Sequence, residues 1–318
     1  MPTPSFLVDA FTSRPFGGNQ AAVCLFQRKL SDEEYQRIAA EFNLSETAFP
    51  LPADDSSDFK SCSSYSLRWF TPLTEVPLCG HATLATAHVL FNELGNTNDL
   101  LTFASKSGEL LVRKTSSGLQ LNFPVFPISA LSLKPFQSEF SGHFEQLIPA
   151  PEELAHVIKA CVPDDLAIES LAYAAEARKV IVAIDRRTTK AAFESFSGDF
   201  SRMLSSHPSG SFVRGLIASF APLDAVAQGF VDSEGSPFDY VSRYFAPWVG
   251  INEDPATGSS QCALAPFWSK ILGKDEMRAF QAFPGRGAEF AVSLKEKPGR
   301  VCISGTAVTI LRGEMNLE

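Results

Sequence analysis

Apolar and polar residues change their period several times along the chain, and each change predicts an element. SFLVDAF (5–11) is dense in branched and aromatic residues and reads as a strand. RPFGGNQAAVCLF (14–26) reads as a glycine turn into a second strand, with Asn19 either a simple turn residue or a polar group with a task. LSDEEYQRIAAEF (30–42) switches to the helical period, with Tyr35, Ile38, Ala39 and Phe42 on one face. Its start is well marked: Ser31 and Glu34 form a capping box, and Leu30 and Tyr35 a hydrophobic staple. NLSETAFP (43–50) returns to period two and predicts a strand stopped by Pro50. Ser45, Thr47 and Phe49 face one side of it, Glu46 and Ala48 the other. Glu46 is then a carboxylate aimed at an interior or one on a solvated face.

Further along, 100–126 predicts meandering strands with glycine turns. Helical patterns at 152–161 and 189–205 alternate with strand-like ones at 179–185, 214–222 and 301–313. The stretch 127–150, rich in Pro, Ser and Phe, reads as a linker. A chain of 318 residues exceeds the usual single core. The expected domains are therefore 1–126 and 127–303, with a C-terminal strand near 304–318 as a candidate to complete the first.

A repeat sharpens this division. RWFTP (68–72) returns as RYFAP (243–247), and GHATLATAHVLFNELG (80–95) as GSSQCALAPFWSKILG (258–273). The second pair is identical at five of sixteen positions, against about one expected from composition. Three extra residues before the later piece change the offset from 175 to 178. Each unit thus runs strand, loop, glycine, helix, either by duplication or through a shared vocabulary of strand–turn–helix passages. The first helix is apolar nearly all round and should be buried; the second carries Pro266, which should kink it or mark its true beginning.

Two buried helix starts offer free backbone N–H groups and two positive dipole ends, a setting for an anion such as a carboxylate. Gly80 and Gly258 open the two helices and allow close backbone approach. Polar candidates stand beside them: His81 in the first unit, Asp254, Thr257 and Ser259 in the second. Asp254-Pro255 is also a common turn.

Composition mainly excludes. With 27 basic and 36 acidic residues the net charge is −9, which argues against nucleic acid or an anionic membrane as partner. No apolar run is long enough to span a bilayer, and the first twenty residues lack the charge-then-apolar order of a secretory leader, so a cytoplasmic protein is expected. Six scattered cysteines, none in a Cys-x-x-Cys pair, suit reduced buried thiols better than disulfides or zinc. His81 and His88 lie about 10 Å apart along one helix, too far to share a metal. No metal or other cofactor is expected.

At VDAF…FGGNQAAV, NLSETAF, RWFTPLTEVPLCGHATLA and RYFAPWVGINEDPATGSS the chain resembles the phenazine-biosynthesis-like (PhzF-like) family, and looks most similar to its animal members. The resemblance covers nearly the whole length. It implies an α+β fold of the diaminopimelate epimerase type, two similar domains each with a curved, mostly antiparallel sheet around a central helix, a cleft between them, and a homodimer. By motif, Glu46 matches the family's catalytic acid/base, and His81, Asp254 and Ser259 its polar partners. Gly80 and Gly258 match backbone donors, with Thr257 and Asn19 as further substrate contacts. The implied activity is a cofactor-free proton shift on a small carboxylate-bearing metabolite. A retired enzyme that binds a regulatory partner is the alternative. Cys79 occupies the position of one thiol of the two-thiol epimerases, but DPA stands in the second region, so a two-thiol racemase is not expected. Gln20 and the Ser260-Gln261-Cys262 run depart from the usual pattern and bear on substrate identity.

Overall fold

The computed structural model describes residues 2–53, 58–116, 118–136 and 138–317. Contacts divide the chain into two units: 1–123 with 256–259 and 302–318, and 124–255 with 260–301. The first begins with β1 (Thr3–Ala10), β2 (Asn19–Cys24), α1 (Asp32–Phe42), β3 (Glu46–Pro52), β4 (Ser64–Phe70) and the short β5 (Glu75–Val76). Then follow α2 (Gly80–His88), β6 (Leu100–Ser105), β7 (Gly108–Thr115) and β8 (Gly118–Pro124). The next stretch carries β9 (Ser129–Ser132), β10 (Leu147–Pro149), α3 (Leu154–Cys161), β11 (Ile168–Ala174) and β12 (Lys179–Ile184). After α4 (Lys190–Ser195) and α5 (Phe200–Ser206) come β13 (Gly215–Phe220), β14 (Tyr240–Ala246) and β15 (Ile251–Asp254). The chain ends with α6 (Gly258–Leu272), β16 (Glu276–Gln281), β17 (Ala288–Ser293), β18 (Arg300–Gly305) and β19 (Ala307–Met315).

The strand pairings repeat. In the first unit β1 and β2 are antiparallel, β2 and β3 parallel, β3 and β4 antiparallel, β4 and β6 parallel, β6 and β7 antiparallel. The same alternation links β11, β12, β13, β14, β16 and β17 in the second. β4 and β14, which carry the repeated RWF and RYF, hold the same rank in the two orders. Each unit also buries one helix. All nine residues of α2 are buried, against β1, β2 and β3. In the second unit Trp268 of α6 donates to Ser219 Oγ on β13 at 2.9 Å, and Gln261 Oε1 accepts from the Tyr240 hydroxyl on β14 at 2.6 Å. The architecture is α+β.

Local signals explain several ends. The capping box of α1 forms, with Ser31 Nα donating to Glu34 Oε2 at 2.7 Å and Glu34 Nα to Ser31 Oγ at 3.2 Å. The staple also closes, since Leu30 and Tyr35 share a cluster with Ile38, Ala39, Phe49 and Phe70. Helix α2 loosens into a π turn at Val89–Glu93 and stops at Gly95, whose left-handed φ of +70° favours glycine. Pro266 lies inside α6, so it does not mark the start. Lacking an N–H, it leaves the Cys262 carbonyl without its helical donor, and Phe126 N–H takes that place at 2.9 Å.

Four expectations need correction. β3 begins at Glu46 and runs through Pro50 to Pro52. It pairs with β2 only at Glu46–Ala48, so Pro50 stands where β4 is its remaining neighbour and a missing N–H is tolerated. The linker expected at 127–150 holds β9, parallel to β10 and antiparallel to β11. The helical pattern 189–205 is two helices, α4 and α5, and the strand 301–313 is divided at Thr306 into β18 and β19. Glu318 lies outside the described residues. All six cysteines are buried, and none is in a disulfide. No helix among the described residues is long and apolar enough to cross a membrane.

Candidate active site

Asn19 is delivered by the Gly17-Gly18 turn. Gly18 has φ +55°, and a Cβ there would meet the Ala10 carbonyl oxygen at 1.9 Å, so glycine alone fits. Asn19 then opens β2 opposite Ala10 and is 1% exposed. Glu46 arrives from another turn. Helix α1 closes on Asn43 in the left-handed region, and the chain doubles back so that Glu46 pairs beside Ala21 of β2. Both faces of β3 are covered, which settles the choice left open by the sequence: Glu46 is interior, 7% exposed.

α2 presents His81 in its first turn. Cys79 is its N-cap, with no side-chain capping bond, and no acidic residue occupies the first turn to neutralise the dipole. The start of α6 lies against it. A Cβ on Gly80 would fall 2.7 Å from Gly258 Cα, and one on Gly258 3.0 Å from Gly80 Cα. Both glycines belong to the first unit, and any other residue at either position would push the two backbones apart. The first turns of two helices therefore lie together, an arrangement that suits an anion.

His81 is the centre of the polar cluster. Its Nε2 lies 3.2 Å from Glu46 Oε2, and its Nδ1 3.2 Å from Asn19 Nδ2 and 3.5 Å from Cys79 Sγ. Burial pushes the ring's pKa down to about 3, against a smaller opposing pull from the Gln20 backbone, so His81 is neutral at physiological pH. Asn19 also donates to the Ala256 carbonyl at 3.3 Å and accepts from Ser45 Oγ at 3.0 Å. Its amide nitrogen faces His81. Thr257 and Ser259 flank Gly258 in the same unit, the first buried and the second half-buried. Asp254 belongs to the second unit, where it ends β15, pairs with Tyr244 and is 6% exposed; its carbonyl accepts from Gln281 Nε2.

Sequence reasoning placed Ser45 only as a strand-face residue and did not see the Ala256 carbonyl. Ser45 precedes Glu46 directly, but nothing in its spacing signals a partner 26 residues earlier. Donor atoms of Glu46, Cys79 and His81 lie within 4.8 Å of one another, a spacing a cation could bridge. Two helix N-termini oppose positive charge there, and an amide nitrogen already meets His81 Nδ1, so the donor set suits a proton and an anion better than a metal.

Residues 8–207 and 215–313 match the family model described as phenazine biosynthesis-like protein. Phenazine biosynthesis-like domain-containing protein 1 of Mus musculus is 42% identical over 315 residues, 99% of each chain. A Pseudomonas aeruginosa protein described as an uncharacterized isomerase is 39% identical over 98% of both. Among solved structures, a phenazine biosynthesis PhzF-family protein of Enterococcus faecalis superposes with a TM-score of 0.74 at 33% identity, covering both chains fully. A polar cluster and paired helix starts built from the shared motifs, together with matches over the whole length, place this chain in the phenazine biosynthesis-like (PhzF) family.

Proposed function

We propose that the chain is a cofactor-independent isomerase that moves a proton between carbons of a small carboxylate-bearing substrate, with Glu46 as acid and base. One observation carries this reading: the buried Glu46 carboxylate lies 3.2 Å from a neutral His81, beside two adjacent helix starts. The isomerase name of the Pseudomonas relative supports the reaction class.

Glu46 removes a proton from a carbon acidified by conjugation with the substrate's carboxylate or carbonyl. The electron pair delocalises toward that group, where N–H groups at Gly80, Gly258 and Ser259, with the Ser259 and Thr257 hydroxyls, hold the growing negative charge. The same carboxyl returns the proton to another carbon on the same face, so acid and base are regenerated together. His81 holds Glu46 or a substrate polar group; Asp254 is assigned a substrate amino or hydroxyl group by its motif alone. The reading takes the protein as a cytoplasmic homodimer.

The test follows cyclic and amino-acid carboxylates by NMR in deuterated water, reading both isomerised product and exchanged carbon-bound hydrogen. Wild type should give one or both, and Glu46→Gln should lose about 10²–10⁴ in rate. If neither appears, or if the variant performs as well as wild type, the proposal fails. Carboxylate binding without isomerisation or exchange would identify the retired enzyme of the alternative reading.

A further inference from the structure

We propose that Asn19 and Ser45 are a positioning pair that locks His81 as the Nε2–H tautomer, so that the proton taken by Glu46 stays on Glu46. The first half concerns the ring alone; the second rests on the function proposed above.

The amide orientation follows from what surrounds it. Ala256 O is a carbonyl and can only accept, so the Asn19 group facing it at 3.3 Å must be the nitrogen. That leaves Oδ1 for Ser45, whose hydroxyl donates to it at 3.0 Å. Nδ2 also lies 3.2 Å from His81 Nδ1. An NH₂ group has no lone pair to offer, so Nδ1 must be the acceptor. The Cys79 thiol, 3.5 Å from the same nitrogen, can donate to it as well and is compatible with the same choice. A neutral imidazole with Nδ1 accepting carries its hydrogen on Nε2, which faces Glu46 Oε2 at 3.2 Å.

Mechanistic consequences follow. In this tautomer His81 turns an N–H toward the Glu46 carboxylate, 3.2 Å away, and has no lone pair on that side to take a proton from it. Passing the proton on would require a charged ring with both nitrogens as donors, facing the Asn19 NH₂ across 3.2 Å, in a place where burial already disfavours charge. Glu46 therefore keeps the abstracted proton until it is returned to carbon, rather than losing it along a Glu–His relay to solvent. The lock makes the cluster a one-proton shuttle.

Two measurements decide this. Nitrogen-15 NMR of the His81 ring in the wild-type chain, assigned through His81→Gln, needs no substrate. The Nε2–H pattern is expected at neutral pH; an Nδ1–H or doubly protonated ring overturns the lock and leaves the Glu46 reading standing. The second uses a substrate deuterated at the labile carbon, once turnover has identified one, and compares label kept in product with label lost to water. Wild type should retain most of it. Asn19→Asp places an acceptor at Nδ1, should switch the ring to Nδ1–H or the charged form, lower turnover by about 10²-fold or more, and raise label loss per turnover. Ser45→Ala should move both readouts the same way by a smaller factor and Ser45→Thr restore them, which keeps the test open if Asn19→Asp does not fold. Unchanged tautomer and label retention in folded variants would sink the proposal, whatever happened to their stability.

Discussion

His81 and Glu46 stand side by side, yet burial acts on them through different routes in the sequence. The ring sits in the first turn of a helix that is buried on every side, so its environment could be anticipated from the apolar run around it. Its folded pKa falls to about 3 because charging it there means desolvating a cation. Between that value and the ordinary 6.5 the unfolded chain binds a proton that the folded chain refuses. Stability from this group is thus complete above pH 6.5 and declines as pH falls toward 3. Denaturant unfolding between pH 7 and 4 should show a steeper loss in wild type than in His81→Gln; parallel curves would mean the ring titrates freely in the fold. Glu46 was less legible. Period two assigns residues to faces but says nothing of depth, and it is the packing of α1 and α2 against β3, with burial on both of its faces, that makes Glu46 interior. Asn19 and Ser45 were least legible, because their contact depends on two turns closing at once.

At the level of elements, duplicated strands carry a duplicated device. Arg68 of β4 grips Glu75 through Nε and Nη2, both at 2.8 Å, and stacks over Phe70. Arg243 of β14 grips Glu253 at 2.6 and 2.8 Å and stacks over Phe245. The arginines differ by 175 in number and the glutamates by 178, the same change of offset seen in the repeat, so the three added residues fall between the partners. Environments differ, however. Arg68 pulls Glu75 below the usual carboxylate range, whereas burial pushes Glu253 up against the pull of Arg243. Arg243 is 1% exposed and also donates to the Phe193 and Phe196 carbonyls, at 2.9 and 2.7 Å. Arg243→Met leaves a buried carboxylate and two carbonyls without donors and should cost about 3–5 kcal/mol. Arg68→Met, nearer solvent, should cost about 1 kcal/mol. Equal shifts in denaturant midpoint would show that the two pairs are not distinguished by depth. The same scale explains the misread linker: β9 and β10 have four and three residues, too short for a periodic signal to outweigh their prolines.

For the whole molecule, strand order matters more than sequence order. The first unit takes its last strand from the end of the chain: β19 lies antiparallel to β1 from Thr3↔Met315 to Ala10↔Ala307, shifting register once near Leu7. Side chains reinforce the return. His88 Nε2 lies 3.0 Å from Thr309 Oγ1, Thr309 donates to Glu93 at 2.7 Å, and Arg312 pairs with the same carboxylate. The sequence offered a strand near 304–318 only as a candidate to complete the first domain; its pairing with β1 could not be read, because pairing across three hundred residues leaves no local mark. β1 in turn is the strand against which β2 delivers Asn19. Ending the chain after Thr306 would expose the edge of β1 along its length and remove the Thr309 hydroxyl and Arg312 guanidinium that meet His88 and Glu93. The truncated chain should therefore fail to give a cooperative unfolding transition for the first unit and should lose amide protection in β1 and β2, while β12, β13 and β14 keep theirs. Hydrogen exchange resolved by segment reads this directly. Native protection in β1 without β19 would show that the duplicated sheet is stable without its returning strand, and that the site at Asn19, Glu46 and His81 does not depend on the chain's end.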